Sequence, residues 1–428
     1  MKKTLALIVV ISMLCLSGCA ALNEEPSGVI YDDIDTVQNL LVQLENDPSM
    51  KDYLAETLVD GNENSKQNAV VDDEEQEVII DSVVPAEINT STDKPLYYTR
   101  LTEKQKQIYC YMKTAAEEMK DGYFSIGAVS SNEDRFTDIA ISYRALICDN
   151  PEIFWLSGSY VVSNDGSAVA FSYDDKDIDY IMTPEQKIKA QEQLENVIDK
   201  IVSYANMLSS NFEKELFFHD WLCKNVKYVD SEKSSDYTIY GALVVGSAVC
   251  EGYSRAMQVL CDRVNIPCTV VYGSSFGDSH MWNVINPGDG WYHLDVTWDD
   301  DEKYNYVRHA YFNVNDDTIL KDHEIFEQVV TGRKYSSGDE FNIYNYSCEF
   351  DTYNYFVKSK LIFTDDHSLN VRIVKETAKK DRDNIEVSYS GDDYVEFLNE
   401  INTALSNGYS KIWLKDFSYL GDSLVVWW

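Results

Sequence analysis

The chain has 428 residues, 44% hydrophobic, with nine cysteines and a formal net charge of −37 from 36 Lys+Arg against 73 Asp+Glu. That much negative charge repels a phosphate backbone and argues against a nucleic-acid partner, while the length suffices for two or three packed domains. No Cys-x-x-Cys pair or clustered histidine is present, which argues against a disulfide framework and a structural zinc site, and no cofactor is expected.

Lys2 and Lys3 precede an apolar run from Leu5 to Leu14, the pattern of a secretory signal too short to stay in a bilayer as a spanning helix. The run ends in Leu16-Ser17-Gly18-Cys19, which resembles the lipobox of bacterial lipoproteins. The resemblance implies a signal peptide over 1–18, lipid on Cys19 and an extracytoplasmic protein anchored to the cytoplasmic membrane. Residues 19–94 follow, with 19 acidic residues and three lysines between Ala20 and Lys94 and the run Asp72-Asp73-Glu74-Glu75-Gln76-Glu77. Self-repulsion and few large apolar groups predict an extended, mostly disordered tether, with room for a short helix around Thr36 to Leu44.

A first α+β domain is predicted over 95–182. Thr102-Glu103-Lys104-Gln105 reads as a capping box for a helix through Ile108, Met112, Ala115 and Met119, and a second helix runs through Ala140, Tyr143 and Ile147. Asp149-Asn150-Pro151 breaks it before a strand-like Ile153-Phe154-Trp155-Leu156. A second domain is predicted over 183–334. Thr183-Pro184-Glu185-Gln186 starts one helix and Ser210 with Glu213 the next, in which His219 reads as a packing or capping histidine. The run Asp299-Asp300-Asp301-Glu302 lacks an EF-hand pattern and reads as a solvated loop rather than a calcium site.

Inside this second domain, Cys250, His280 and Asp295 fall 30 and then 15 positions apart. Ala248-Val249-Cys250-Glu251-Gly252 reads as a strand-free, small-residue approach to a helix start, where the helix dipole favours a thiolate. His280-Met281-Trp282-Asn283-Val284-Ile285 and Trp291-Tyr292-His293-Leu294-Asp295 flank the turn signal Asn286-Pro287-Gly288-Asp289-Gly290. A β-hairpin of that form makes His280 and Asp295 facing or neighbouring residues. A thiol needs a base to take its proton and return it to a leaving amine, and a third group orients that base. Tyr240 is a candidate second oxyanion donor beside the Cys250 backbone N–H.

From Tyr240 to Asp300, the order Cys, His, Asp in these three contexts resembles the transglutaminase-like superfamily. That resemblance implies a papain-like α+β core with Cys250, His280 and Asp295 as a catalytic triad, and a chemistry ranging over cross-linking, proteolysis and amidase action, with inactive scaffolds among its members. Residues 335–428 are expected to form a C-terminal α+β accessory domain, with strands at Tyr353–Phe363, Ile385–Tyr389, Lys411–Leu414 and Leu424–Trp428 and a helix at Tyr394–Leu405. The whole reads as an α+β surface lipoprotein acting on protein or peptide amides, by hydrolysis in preference to cross-linking. A catalytically silent scaffold that binds cell-wall or host polypeptides is the alternative. The oligomeric state is not legible.

Overall fold

Three capping boxes start the long helices where the sequence places them. In a computed structural model, which describes residues 32–50, 80–89, 96–127, 135–156, 159–163, 165–172, 182–230, 233–301, 306–325, 346–364, 367–378, 384–389, 394–408, 416–420 and 423–427, the side chains of Thr102, Thr183 and Ser210 each accept from the third helical N–H. The N3 side chains of Gln105, Gln186 and Glu213 reach back to the cap. The elements in chain order begin with helix α1 (Asp32–Glu45), strand β1 (Ile80–Asp81), α2 (Glu103–Glu117), β2 (Tyr123–Ser125), α3 (Arg135–Asp149), β3 (Ser159–Val162) and β4 (Ala168–Ser172). Next come α4 (Pro184–Ala205), α5 (Asn211–Asn225), β5 (Lys227–Tyr228), β6 (Ser247–Ala248), α6 (Cys250–Arg263), β7 (Cys268–Ser275), β8 (Asp278–Ile285) and β9 (Tyr292–Leu294). Short elements α7 (Val296–Asp299), β10 (Asp300–Asp301), β11 (Tyr306–Val307), α8 (Asp316–Ile319) and β12 (His323–Ile325) follow. The chain closes with α9 (Tyr355–Ser359), α10 (His367–Ala378), β13 (Asn384–Ser388), α11 (Tyr394–Gly408), β14 (Asp416–Leu420) and β15 (Ser423–Trp427).

This is an α+β fold. Its centre is an antiparallel sheet in the order β12-β7-β8-β9. Helix α6 packs on β7 and β8 and buries Tyr253, Ala256, Met257, Leu260 and Cys261, a stripe of helical spacing. Two glycines admit that packing. A Cβ on Gly252 would meet Asp236 O at 2.6 Å and Ala248 Cβ at 2.7 Å, and one on Gly273 would meet Glu324 O at 2.1 Å and the Trp282 ring at 2.5 Å. Smaller sheets stand on either side, β1-β2-β4-β3 with α2 and α3 before the centre and β13-β15-β14 with α10 and α11 after it. One continuous apolar core joins all of them. Polar ties cross between them too: Tyr97 donates to Val270 O at 2.6 Å and Gln258 to Cys148 O at 2.9 Å.

Several expectations are corrected. Within the segment read as an extended tether, α1 buries Ile34, Val37, Leu41 and Leu44, because its apolar residues recur at helical spacing and find α5 as a partner. Ile153–Leu156 makes turns rather than a strand, and Asn150 holds it by accepting from Ile153 N. Tyr353–Phe363 contains the helix α9, capped by Asn354 accepting from Phe356 N and Val357 N. The approach to Cys250 is not strand-free: β6 pairs in parallel with β5. Residues 1–31, including Cys19, the acidic run 72–77 and the strand expected at 411–414 lie outside the described residues.

Candidate active site

The β8–β9 hairpin exists with the register Asn283↔Leu294, Val284↔His293 and Ile285↔Tyr292. Continued by one step, that register sets Asp295 opposite Trp282, so His280 is a diagonal neighbour of Asp295 on the same face rather than its direct partner. The reach is sufficient: His280 Nε2 lies 2.6 Å from Asp295 Oδ2. The His280 ring stacks on Trp282 with centroids 5.9 Å apart at 18°, which fixes its plane.

Cys250 is the first residue of α6, and its N–H is among the four a helix leaves without an internal acceptor. Ser254, one turn on, ties the helix start to the strand, with its hydroxyl 2.8 Å from Cys250 O and 2.9 Å from Met281 O. Met281 adjoins His280 in β8, so this bond sets the thiol beside the imidazole, and a Cys250–His280 hydrogen bond is among the interactions that stabilise the protonated ring. With Nε2 on Asp295, Nδ1 is the nitrogen left for the thiol. Cys250 is also the one partly accessible cysteine among the seven described, none of which is in a disulfide.

Burial pushes the His280 imidazole down, but the Asp295 carboxylate, through charge and hydrogen bond, and Cys250 outweigh it and raise it to about 10. Asp295 shows the converse. Burial would raise its carboxyl, yet His280 and His323 hold it below the usual carboxylate range. Its other oxygen caps α7, Oδ1 accepting from Thr297 N at 3.0 Å and Trp298 N at 3.1 Å. The third group is therefore fixed by backbone as well as by histidine.

Sequence reading missed His323. Its Nε2 lies 3.0 Å from the same Asp295 Oδ2 that His280 uses. Only the pairing of β12 with β7 brings it there, and nothing in its local sequence signals the contact. Tyr228 and Tyr237 were also missed. Burial first, and then acidic neighbours, with Cys250 next for Tyr228 and Glu251 ahead of Cys250 for Tyr237, raises both hydroxyls above the usual tyrosine range. The structure puts Tyr240 to another use: its hydroxyl donates to Gln193 Oε1 at 3.0 Å and its ring stacks on Phe154. With that proton committed, Tyr240 reads as a packing residue, and the Cys250 N–H is the oxyanion donor that remains from the pair proposed.

Two other histidine groups bear on metal binding. His293, read as uninvolved, accepts from Trp282 Nε1 at 3.0 Å through Nδ1, so its proton sits on Nε2, 2.9 Å from Asp316 Oδ1. That nitrogen, which faces Asp316 and the nearby Cys348, then has no lone pair for a cation. His219, expected to pack, instead bridges Asp220 Oδ1 at 2.8 Å and Asp299 Oδ2 at 3.2 Å. Asp299 is accordingly buried rather than part of a solvated loop. His309 bridges Asp220 Oδ1 at 3.0 Å and Glu386 Oε2 at 2.7 Å, binding the last sheet to α5.

Residues 199–296 match the model of the transglutaminase-like superfamily, a span that holds Cys250, His280 and Asp295. Among solved structures, a TGase is similar at 19% identity over 27% of this chain and 33% of that one, with a TM-score of 0.24. A candidate cysteine protease from Cytophaga hutchinsonii is similar at 21% identity over 24% of this chain and 38% of that one, with a TM-score of 0.23. The chain thus spans 33% of the length of one neighbour and 38% of the other. No curated protein matches. Residues 199–296 thus form a domain of the transglutaminase-like superfamily.

Proposed function

We propose that this domain performs thiol-dependent acyl transfer on polypeptide amides, with water as the preferred acceptor, in a lipoprotein held at the outer face of a cytoplasmic membrane through Cys19. The observation that carries the reading is the His280 ring placed between the Asp295 carboxylate and the Cys250 thiol at a helix start. An imidazolium there stabilises an attacking thiolate by charge. Cys250 Sγ adds to the amide carbonyl, the carbonyl oxygen takes the electron pair, and the Cys250 N–H donates a hydrogen bond to that oxygen as its charge develops. The intermediate collapses as the C–N bond breaks, and His280 gives its proton to the leaving amine. His280, now neutral, deprotonates water, whose attack on the thioester releases a carboxylic acid and restores the thiol pair. A primary amine in place of water forms a new amide.

Mass spectrometry of the full chain incubated with a peptide library, with and without an added primary amine, tests the reading. An acyl adduct on Cys250 that disappears in Cys250→Ala is expected. Absence of any adduct, with alkylation of Cys250 no faster than that of Cys110 at about pH 6, would favour the non-catalytic scaffold. For the anchor, Cys19→Ser is expected to lose membrane attachment or to persist as uncleaved precursor while keeping its fold, and normal membrane retention of that variant removes the proposal.

A further inference from the structure

The third member of the proposed triad has two imidazole partners, and the second lies outside the stretch that matches the family. His323 opens β12, where it pairs with Ser275 across the sheet from His280. Its Nε2 is 3.0 Å from Asp295 Oδ2, and its Nδ1 is hydrogen-bonded to Asp322 Oδ1. Ionised carboxylates only accept, so a ring with a carboxylate on each nitrogen must donate from both. We propose that His323 is a standing imidazolium and a positioning residue for the acyl-transfer site, holding Asp295 Oδ2 in place while competing with His280 for its charge.

The surroundings of His323 agree. Trp282, Trp298 and Tyr311 close around it, their centroids 5.1, 6.0 and 5.4 Å away. The charged or titratable groups facing it are His280 from β8, Asp295 at the start of α7, Asp322 before β12, Tyr311 from the loop that follows β11, and His293 from β9. Tyr311 donates to Asp322 Oδ2 at 2.6 Å, so Asp322 remains an acceptor toward the ring. Burial pushes the His323 imidazole down, but Asp295 and Asp322 outweigh it. His280 differs at one nitrogen, where a thiol replaces the second carboxylate. One cation is thereby pinned and the other is available to give up its proton. Since the two rings sit 5.4 Å apart, a charge on His323 opposes a charge on His280 and limits how tightly Asp295 retains the His280 proton. A general acid and base needs that limit, because a proton held too firmly is not transferred.

The proposal rests on the acyl-transfer reading, and its test is separable from it. In the full chain labelled with 15N at its six histidines, both ring nitrogens of His323 are expected to stay protonated from about pH 5 to about pH 8. In His323→Gln, which keeps an N–H donor and removes the charge, the titration midpoint of His280 is expected to rise by about 0.5 to about 2 units, the range for unit charges at 5.4 Å between water and a protein surface. Alkylation of Cys250 by iodoacetamide at about pH 6 is expected to fall about tenfold in His323→Leu and to recover in His323→Gln. A neutral His323 ring at neutral pH, or a His280 midpoint unchanged in both variants, overturns the proposal. Should wild-type Cys250 prove unreactive, the acyl-transfer reading fails, while the two nitrogen titrations still decide what His323 does.

Discussion

Two buried clusters in this protein are built from the same parts and differ in what the last part is. In one, His219 and His309 share Asp220 and end on Asp299 and Glu386, so every ring nitrogen meets a carboxylate. In the other, His280 and His323 share Asp295 and one end is Asp322, but the other end is Cys250 instead of a third acid. The first is closed: Arg308 donates to Glu386 at 3.2 Å, Ser423 also bonds Glu386, and the His309 ring stacks on Tyr355 at 3.8 Å. The second reaches the surface through a thiol that is partly accessible. Satisfied charges with no outlet hold elements together, whereas the same arrangement with a nucleophile at its open end can do chemistry.

The comparison can be broken most decisively at the open end. Cys250→Ala is expected to reduce acyl transfer by about 10⁴-fold or more, and adding His280→Ala should cost little further, since a base without a nucleophile has no step to assist. Assays of both variants on a peptide captured as an acyl adduct check this, and strictly additive losses would count against a shared mechanism. At the closed end the effect should appear in stability instead. Glu386→Ala leaves Arg308 and His309 buried without their carboxylate and is expected to cost about 3 to 5 kcal/mol in urea unfolding. A smaller loss, about 2 to 5 kcal/mol with the lower end favoured at a domain edge, is expected for Leu41→Ala in α1. That residue is fully buried, so a neutral result would return α1 to the tether.

The most gradual effect is that of pH, and its sign follows from the raised histidines. His309 is driven down by burial and up, more strongly, by Asp220 and Glu386, to about 9, while His280 reaches about 10. A group whose folded value is raised contributes stability fully below its unfolded value of 6.5 and loses it as pH climbs through the folded value. Stability should therefore decline between pH 6.5 and about 10. His309→Gln should flatten the part of that decline up to about 9. A melting temperature level across this range would contradict the charged state of both clusters.

The proximity of His280 to Asp295 and the place of Cys250 at a helix start were legible from the sequence because their signals are local. Cys250 sits at a helix start flagged by small residues and an apolar stripe, and His280 and Asp295 flank a turn rich in Pro and Gly, so period and turn chemistry alone bring them close. The three capping boxes were legible for the same reason, each being complete within four residues. The burial of α1, the helix at Tyr355–Ser359 and the turns at Ile153–Leu156 went the other way, since acidic composition and aromatic content do not say whether a partner surface exists to bury a stripe. His323 illustrates the limit. It lies 28 residues from Asp295, and its partners come from β8, the start of α7 and the residue just before its own strand, so no spacing rule connects them. What the sequence determined was the identity and order of a thiol, a base and an orienting acid. Only the tertiary structure decided that the acid serves two imidazoles, because a carboxylate's lone pairs are filled by whatever donors the sheet happens to bring within hydrogen-bond reach.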